Sequence, residues 1–80
     1  MENSELKVGD IVKSVETNWV GLVVETYPNE EGEQVVVCNG IDPWSMVIRG
    51  WSYEEASCPD DKRWFTASDV TKIDTAWPER

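Results

Sequence analysis

Eighty residues suffice for one domain and leave no room for a second core. Sixteen acidic against seven basic side chains set a net charge of −9, which repels phosphate backbones and speaks against direct binding of nucleic acid or an anionic membrane. Histidine is absent, which removes the commonest general base, the Cys–His nucleophile pair and most catalytic zinc sets.

Residues 1–6 read as a flexible polar lead. Met1-Glu2-Asn3-Ser4-Glu5 is acidic and has no apolar centre of an export signal, and no run approaches the ~20 apolar residues of a membrane span. The expectation is a cytoplasmic protein. Val8-Gly9-Asp10 then predicts a turn, with the Asp10 carboxylate bonding nearby amides, before Ile11 and Val12 open the first strand. Ser14 to Asn18 form a short polar loop. Trp19 to Tyr27, rich in β-branched and aromatic residues, predict a long second strand. Alternation places Val20, Leu22, Val24 and Thr26 on one face and Gly21, Val23, Glu25 and Tyr27 on the other, with a bulge or bend at Gly21. Pro28 to Gly32 is an acidic hairpin turn, and Glu33 to Asn39 make a third strand, valine-rich enough to be covered on both faces.

Asn39-Gly40 is a turn signal that ends this strand. From Ile41 to Lys62 the pattern breaks down into a long irregular excursion, in which Met46 to Trp51 suit a fourth strand and Pro59 interrupts the polar stretch Ser52–Asp61. Trp64-Phe65-Thr66 resumes strand character, with Trp64 assigned to the core and Phe65 to the opposite, partly exposed face. Ala67-Ser68-Asp69 predicts a single helical or 3₁₀ turn whose Ser68 or Asp69 side chain satisfies free amides. Val70 to Ile73 is the closing strand, and residues 75–80, with Trp77-Pro78, form a tail. The domain itself spans residues 7–74.

The order Val-Gly-Asp, strand, glycine-led strand ending in glutamate, valine-rich strand, then aromatic-x-x-Ser-Asp-Val resembles the SH3-like small-barrel superfamily, including its KOW-type and Tudor-type members. It is similar too to the accessory barrel subunit PsaE of photosystem I and to short barrel proteins of phage and bacterial genomes. The resemblance covers Lys7–Asn39 and Trp64–Ile73 and implies an all-β, five-stranded SH3-like small barrel with a long irregular loop and a 3₁₀ turn before the last strand. KOW-type barrels that touch RNA carry basic loops, which this chain lacks. In Tudor-like barrels, loop aromatics meet at one end and form a cage for methylated cations.

The residues point to no catalytic or metal chemistry. Cys38, in a strand, reads as a small buried hydrophobe, whereas Cys58, beside Pro59 and two aspartates, reads as exposed. Both thiols are expected to be reduced, although the spacing leaves a Cys38–Cys58 bridge open. Glu54-Glu55 and Asp60-Asp61 read as solvated carboxylates, and no phosphate-cradling glycine loop occurs, so neither catalytic residues, metal ligands nor cofactors are assigned. What remains is aromatic. Trp19, Trp44, Trp51 and Tyr53, backed by Asp42, Glu54 and Glu55, are the candidate binding residues, because a ring face attracts a cation within ~6 Å of its centroid and nearby acids reinforce it. The expected function is a non-catalytic protein-interaction module for a basic or cationic protein surface. Two alternatives are an acidic inhibitor or nucleic-acid mimic aimed at a DNA-binding enzyme, and an accessory structural subunit of a larger enzyme complex. Composition is silent on the oligomeric state.

Overall fold

A computed structural model describes residues 5–76. Five antiparallel strands, β1 (Asp10–Ser14), β2 (Val20–Pro28), β3 (Gln34–Ile41), β4 (Ser57–Thr66) and β5 (Val70–Thr75), form one sheet in the order β4-β3-β2-β1-β5. Two short helices, α1 (Pro43–Arg49) and α2 (Tyr53–Ala56), lie between β3 and β4, and a 3₁₀ turn (Ala67–Asp69) leads into β5. Among the described residues no ladder joins β4 to β5, and no helix is long and apolar enough to cross a membrane. The tail residues Trp77 and Pro78 and the first four residues of the lead lie outside the described residues.

The turn at residues 8–9 is fastened by Asp10, whose carboxylate accepts the Lys7 N–H at 2.8 Å and lies 3.4 Å from the Lys72 ammonium on β5. Leu6, at the end of the expected lead, is instead buried. The Gln34 carboxamide accepts the Leu6 N–H at 3.1 Å and donates to the Leu6 carbonyl, so the segment before β1 is tied to β3.

Both faces of the central strands are covered. One carries Leu6, Val12, Val23, Val36, Cys38 and Val70, with Trp19, Phe65 and Ala67 packed against them. The other carries Ile11, Leu22 and Asn39, which stand opposite one another in the ladder and are all buried. Each fully buried Val, Leu or Ile contributes about 1.5–3 kcal/mol relative to exposure, so this doubly packed middle dominates the stability. The two faces explain why six consecutive residues of β3, from Val35 to Gly40, are buried.

Two irregularities reset the alternation. In β2 the register slips between Val23 and Glu25, so Val24 is the bulged residue rather than Gly21. Glu25 consequently falls opposite Val37 and shares the Leu22 face, not the Val23 face expected from strict alternation. In β4, Asn39 pairs with Lys62 but Gly40 pairs with Cys58, leaving Pro59, Asp60 and Asp61 as an inserted bend. Proline, which cannot donate to a ladder, is tolerated there.

This bend overturns two expectations. Asn39-Gly40 does not end β3, because both residues are paired on either side, and the strand runs on to Ile41. Phe65 falls opposite Val36 and packs on the core, whereas Trp64 falls opposite Val37 on the other face and is 58% exposed. Gly21 and Gly40 are required for close approach. A Cβ on Gly21 would lie 2.6 Å from the Trp19 ring, and one on Gly40 would collide with the Asp61 carboxylate. The indole of Trp19 therefore packs closely against two paired glycines at this end of the packed face.

Candidate functional site

The excursion from Ile41 to Lys62 contains neither an irregular loop nor the strand suited to Met46–Trp51. Asp42 caps α1, its carboxylate accepting the Trp44 N–H at 3.1 Å and the Ser45 hydroxyl at 2.9 Å. Pro43 occupies the first helical position, where a missing N–H costs nothing. Gly50 closes the helix in the left-handed conformation, φ 69°, with its N–H donating to the Met46 carbonyl. Val47 and Ile48 are β-branched, but these caps decide the local structure. Ser52 and Glu55 then form a reciprocal capping box that starts α2, and β4 follows without a break through Pro59.

No residue of α1 is buried. Trp44, Val47 and Ile48 are 71%, 79% and 73% exposed, and Trp51, just past the helix, is 37% exposed. The i, i+3, i+4 spacing of Trp44, Val47 and Ile48 puts these three along one side of α1, whereas Trp51 lies beyond the left-handed Gly50. On the Trp51 ring lies the guanidinium of Arg49, 5.1 Å from the centroid. Tyr53 donates its hydroxyl to Asp74 at 2.6 Å and so ties α2 to β5. That bond, with burial and the Asp74 charge, raises the Tyr53 hydroxyl above its ordinary value, while the same bond holds the Asp74 carboxyl low. A cleft of about 290 Å³ lies between Met46, Ser52, Tyr53, Glu54 and Ala76. Its volume sits at the lower edge of the ~300–1,000 Å³ typical of small-molecule sites.

Six of the seven candidate binding residues thus fall on the α1–α2 segment: Asp42, Trp44, Trp51, Tyr53, Glu54 and Glu55. Asp42 and Glu55 act as caps, and Tyr53 is engaged by Asp74. Trp19 is elsewhere. Its Nε1–H donates to Asp61 at 3.2 Å, Arg63 stands 4.7 Å over its ring and is itself bonded to Asp61 at 3.2 Å, and Phe65 packs at 5.4 Å. No ring contact joins Trp19, Trp44, Trp51 and Tyr53 among the described residues, so the indoles do not assemble into a cage.

Asp61, its side chain about half exposed, also anchors Trp19, and Ser68 and Asp69 bond the Thr66 hydroxyl rather than free amides. Cys38 and Cys58 are both free, the first buried and the second exposed. No group of three or more His, Cys, Asp or Glu able to hold a metal occurs among the described residues. Sequence reasoning missed Val47 and Ile48 as exposed residues. Their signal was the helical spacing with Trp44, framed by Asp42-Pro43 before and Gly50 after. No family model, curated protein or solved structure matches the chain.

Proposed function

We propose that the chain is a non-catalytic interaction module of SH3-like architecture that binds a basic or cationic protein surface through the α1–α2 segment. The observation that carries this reading is the partly exposed Trp51 ring, which already holds a guanidinium, that of Arg49, on its face. An exposed cation–π contact contributes about 0.5–1 kcal/mol and a desolvated one ~2 kcal/mol. Exposed Glu54 and Glu55 follow on α2, where they steer a basic partner and speed its encounter. The strand order and the 3₁₀ turn before β5 support the architecture, and two free thiols support a reducing, cytoplasmic setting. In this reading Arg49 occupies the place of the incoming cation.

The test is quantitative capture of a basic protein from the native host at fixed stoichiometry, compared across variants. Trp51→Ala is expected to weaken binding about tenfold, the cost of losing one interface anchor. Arg49→Ala, which frees the ring, is expected to tighten it, and rising salt to weaken it. Capture indifferent to both substitutions would remove this reading.

A further inference from the structure

We propose that Asn39-Gly40 is a site of covalent modification that the sheet holds closed: Asn39 loses its side-chain amide only from the unfolded chain, and the altered chain does not regain the native sheet. This goes beyond the reading above, since it involves no partner and lies in the frame rather than in the α1–α2 segment.

The reaction is intramolecular. The Gly40 amide nitrogen, its proton taken by solvent base, attacks the Asn39 side-chain carbonyl carbon. A new C–N bond closes a cyclic imide, the C–N bond of the carboxamide breaks, and ammonia leaves. Water then opens the imide at either carbonyl, giving aspartate or isoaspartate with one more negative charge. A following glycine favours the attack, because no Cβ crowds the nitrogen and the backbone turns freely. Asn39-Gly40 is the one Asn-Gly step in the chain; the other asparagines precede Ser4, Trp19 and Glu30.

The dipeptide that the sequence marks as a turn lies instead inside the sheet. Asn39 is paired with Leu22 and Lys62, and Gly40 with Gly21 and Cys58. An extended backbone stands the side chain roughly perpendicular to the sheet while the next N–H lies within it, which keeps nucleophile and carbonyl apart. The space beside the Gly40 Cα is filled by the Asp61 carboxylate and the Trp19 ring, which blocks local distortion. The side chain adds no restraint of its own, because Asn39 is buried yet its Oδ1 accepts no hydrogen bond among the described residues. Protection therefore rests on the pairing of β3 with β2 and β4. Either product is incompatible with this place. Aspartate buries a charge where the oxygen meets no donor. Isoaspartate leads the main chain through the former side chain, and the added methylene breaks the register on both sides of β3.

The test incubates the purified full chain at mildly alkaline pH under reducing conditions, folded in buffer and unfolded in guanidinium chloride. Ion exchange separates the more negative species, and peptide mapping locates the change. The unfolded chain is expected to gain its charge first at residue 39. The folded chain is expected to do so more slowly by its unfolded fraction, on the order of 10³-fold or more. After dilution from denaturant, altered chains are expected to leave Cys38 open to a thiol reagent, whereas unaltered chains bury it again. Asn39→Thr, which forms no imide, is expected to abolish the gain at this position and to keep its refolding yield through the same incubation. The wild-type comparison stands whether or not that variant folds. Equal rates at residue 39 in the folded and unfolded chain overturn the proposal. So does altered material that refolds with the wild-type unfolding midpoint and a buried Cys38.

Discussion

Cys38 and Cys58 lie on neighbouring strands, Cys58 opposite Gly40 and Cys38 two residues before it, yet only Cys58 meets solvent. Burial pushes the Cys38 thiol from its ordinary value of 9.0 up to about 12. Below pH 9 both the folded and the unfolded chain keep this proton. Between 9 and about 12 the unfolded chain releases it and the folded chain does not, so stability falls with rising pH, by up to about 1.4 kcal/mol per pH unit. Tyr53, also raised, acts in the same direction at the alkaline end. Denaturation midpoints measured against pH are expected to fall above pH 9, and the fall is expected to be smaller in Cys38→Ala, even though that variant starts less stable. Tyr53→Phe separates the remaining contribution. In the native protein a thiol reagent is expected to modify Cys58 at once and Cys38 only on unfolding.

Seven residues are too few for a helix to persist alone in water, where ~12–15 are marginal, and only Ser45 and Met46 of α1 are even half-buried. Its order rests on its caps. Asp42→Ala is expected to cost about 1 kcal/mol of local stability, a factor of about five in amide exchange across α1 by NMR. The global unfolding midpoint is expected to move little, since no α1 residue belongs to the core.

The same balance explains what was legible at this scale. β1, β2 and β3 announce themselves through valine, isoleucine and leucine positions where burial and local propensity agree, whereas β5 and the 3₁₀ turn, mostly exposed, are marked by local signals, Ala67-Ser68-Asp69 followed by Val70. α1 was misread because Met46-Val47-Ile48 favours strand by composition, while Asp42, Pro43 and Gly50 decide otherwise. Trp64 and Phe65 take the faces opposite to those expected because their pairing with Val37 and Val36 of β3 sets which side each meets, and one strand's sequence does not show its partner. For the candidate site, the sequence order already groups six of the seven candidate residues between Asp42 and Glu55, but the separation of Trp19 from them was not legible. That separation depends on a long-range bond to Asp61 and on glycines paired across two strands.

For the whole molecule, net charge opposes compaction. A charge of −9 on eighty residues is only slightly offset by the described ion pairs of Lys72 with Asp10 and Arg63 with Asp61. Screening relieves this self-repulsion, so neutral salt is expected to raise the thermal midpoint, most steeply at low ionic strength, as scanning calorimetry would record. A midpoint indifferent to salt would mean that the acids are too dispersed to repel one another.

Ile41 and Ser57 face each other at the last rung between β3 and β4, so the fifteen residues from 42 to 56 leave the sheet and rejoin it at one place. Of these only Ala56 is buried. Lengthening such a detour costs little closure entropy, and its composition scarcely touches the core. The protein is thereby divided into a packed frame and a detour whose sequence can be rewritten without renegotiating how the frame folds.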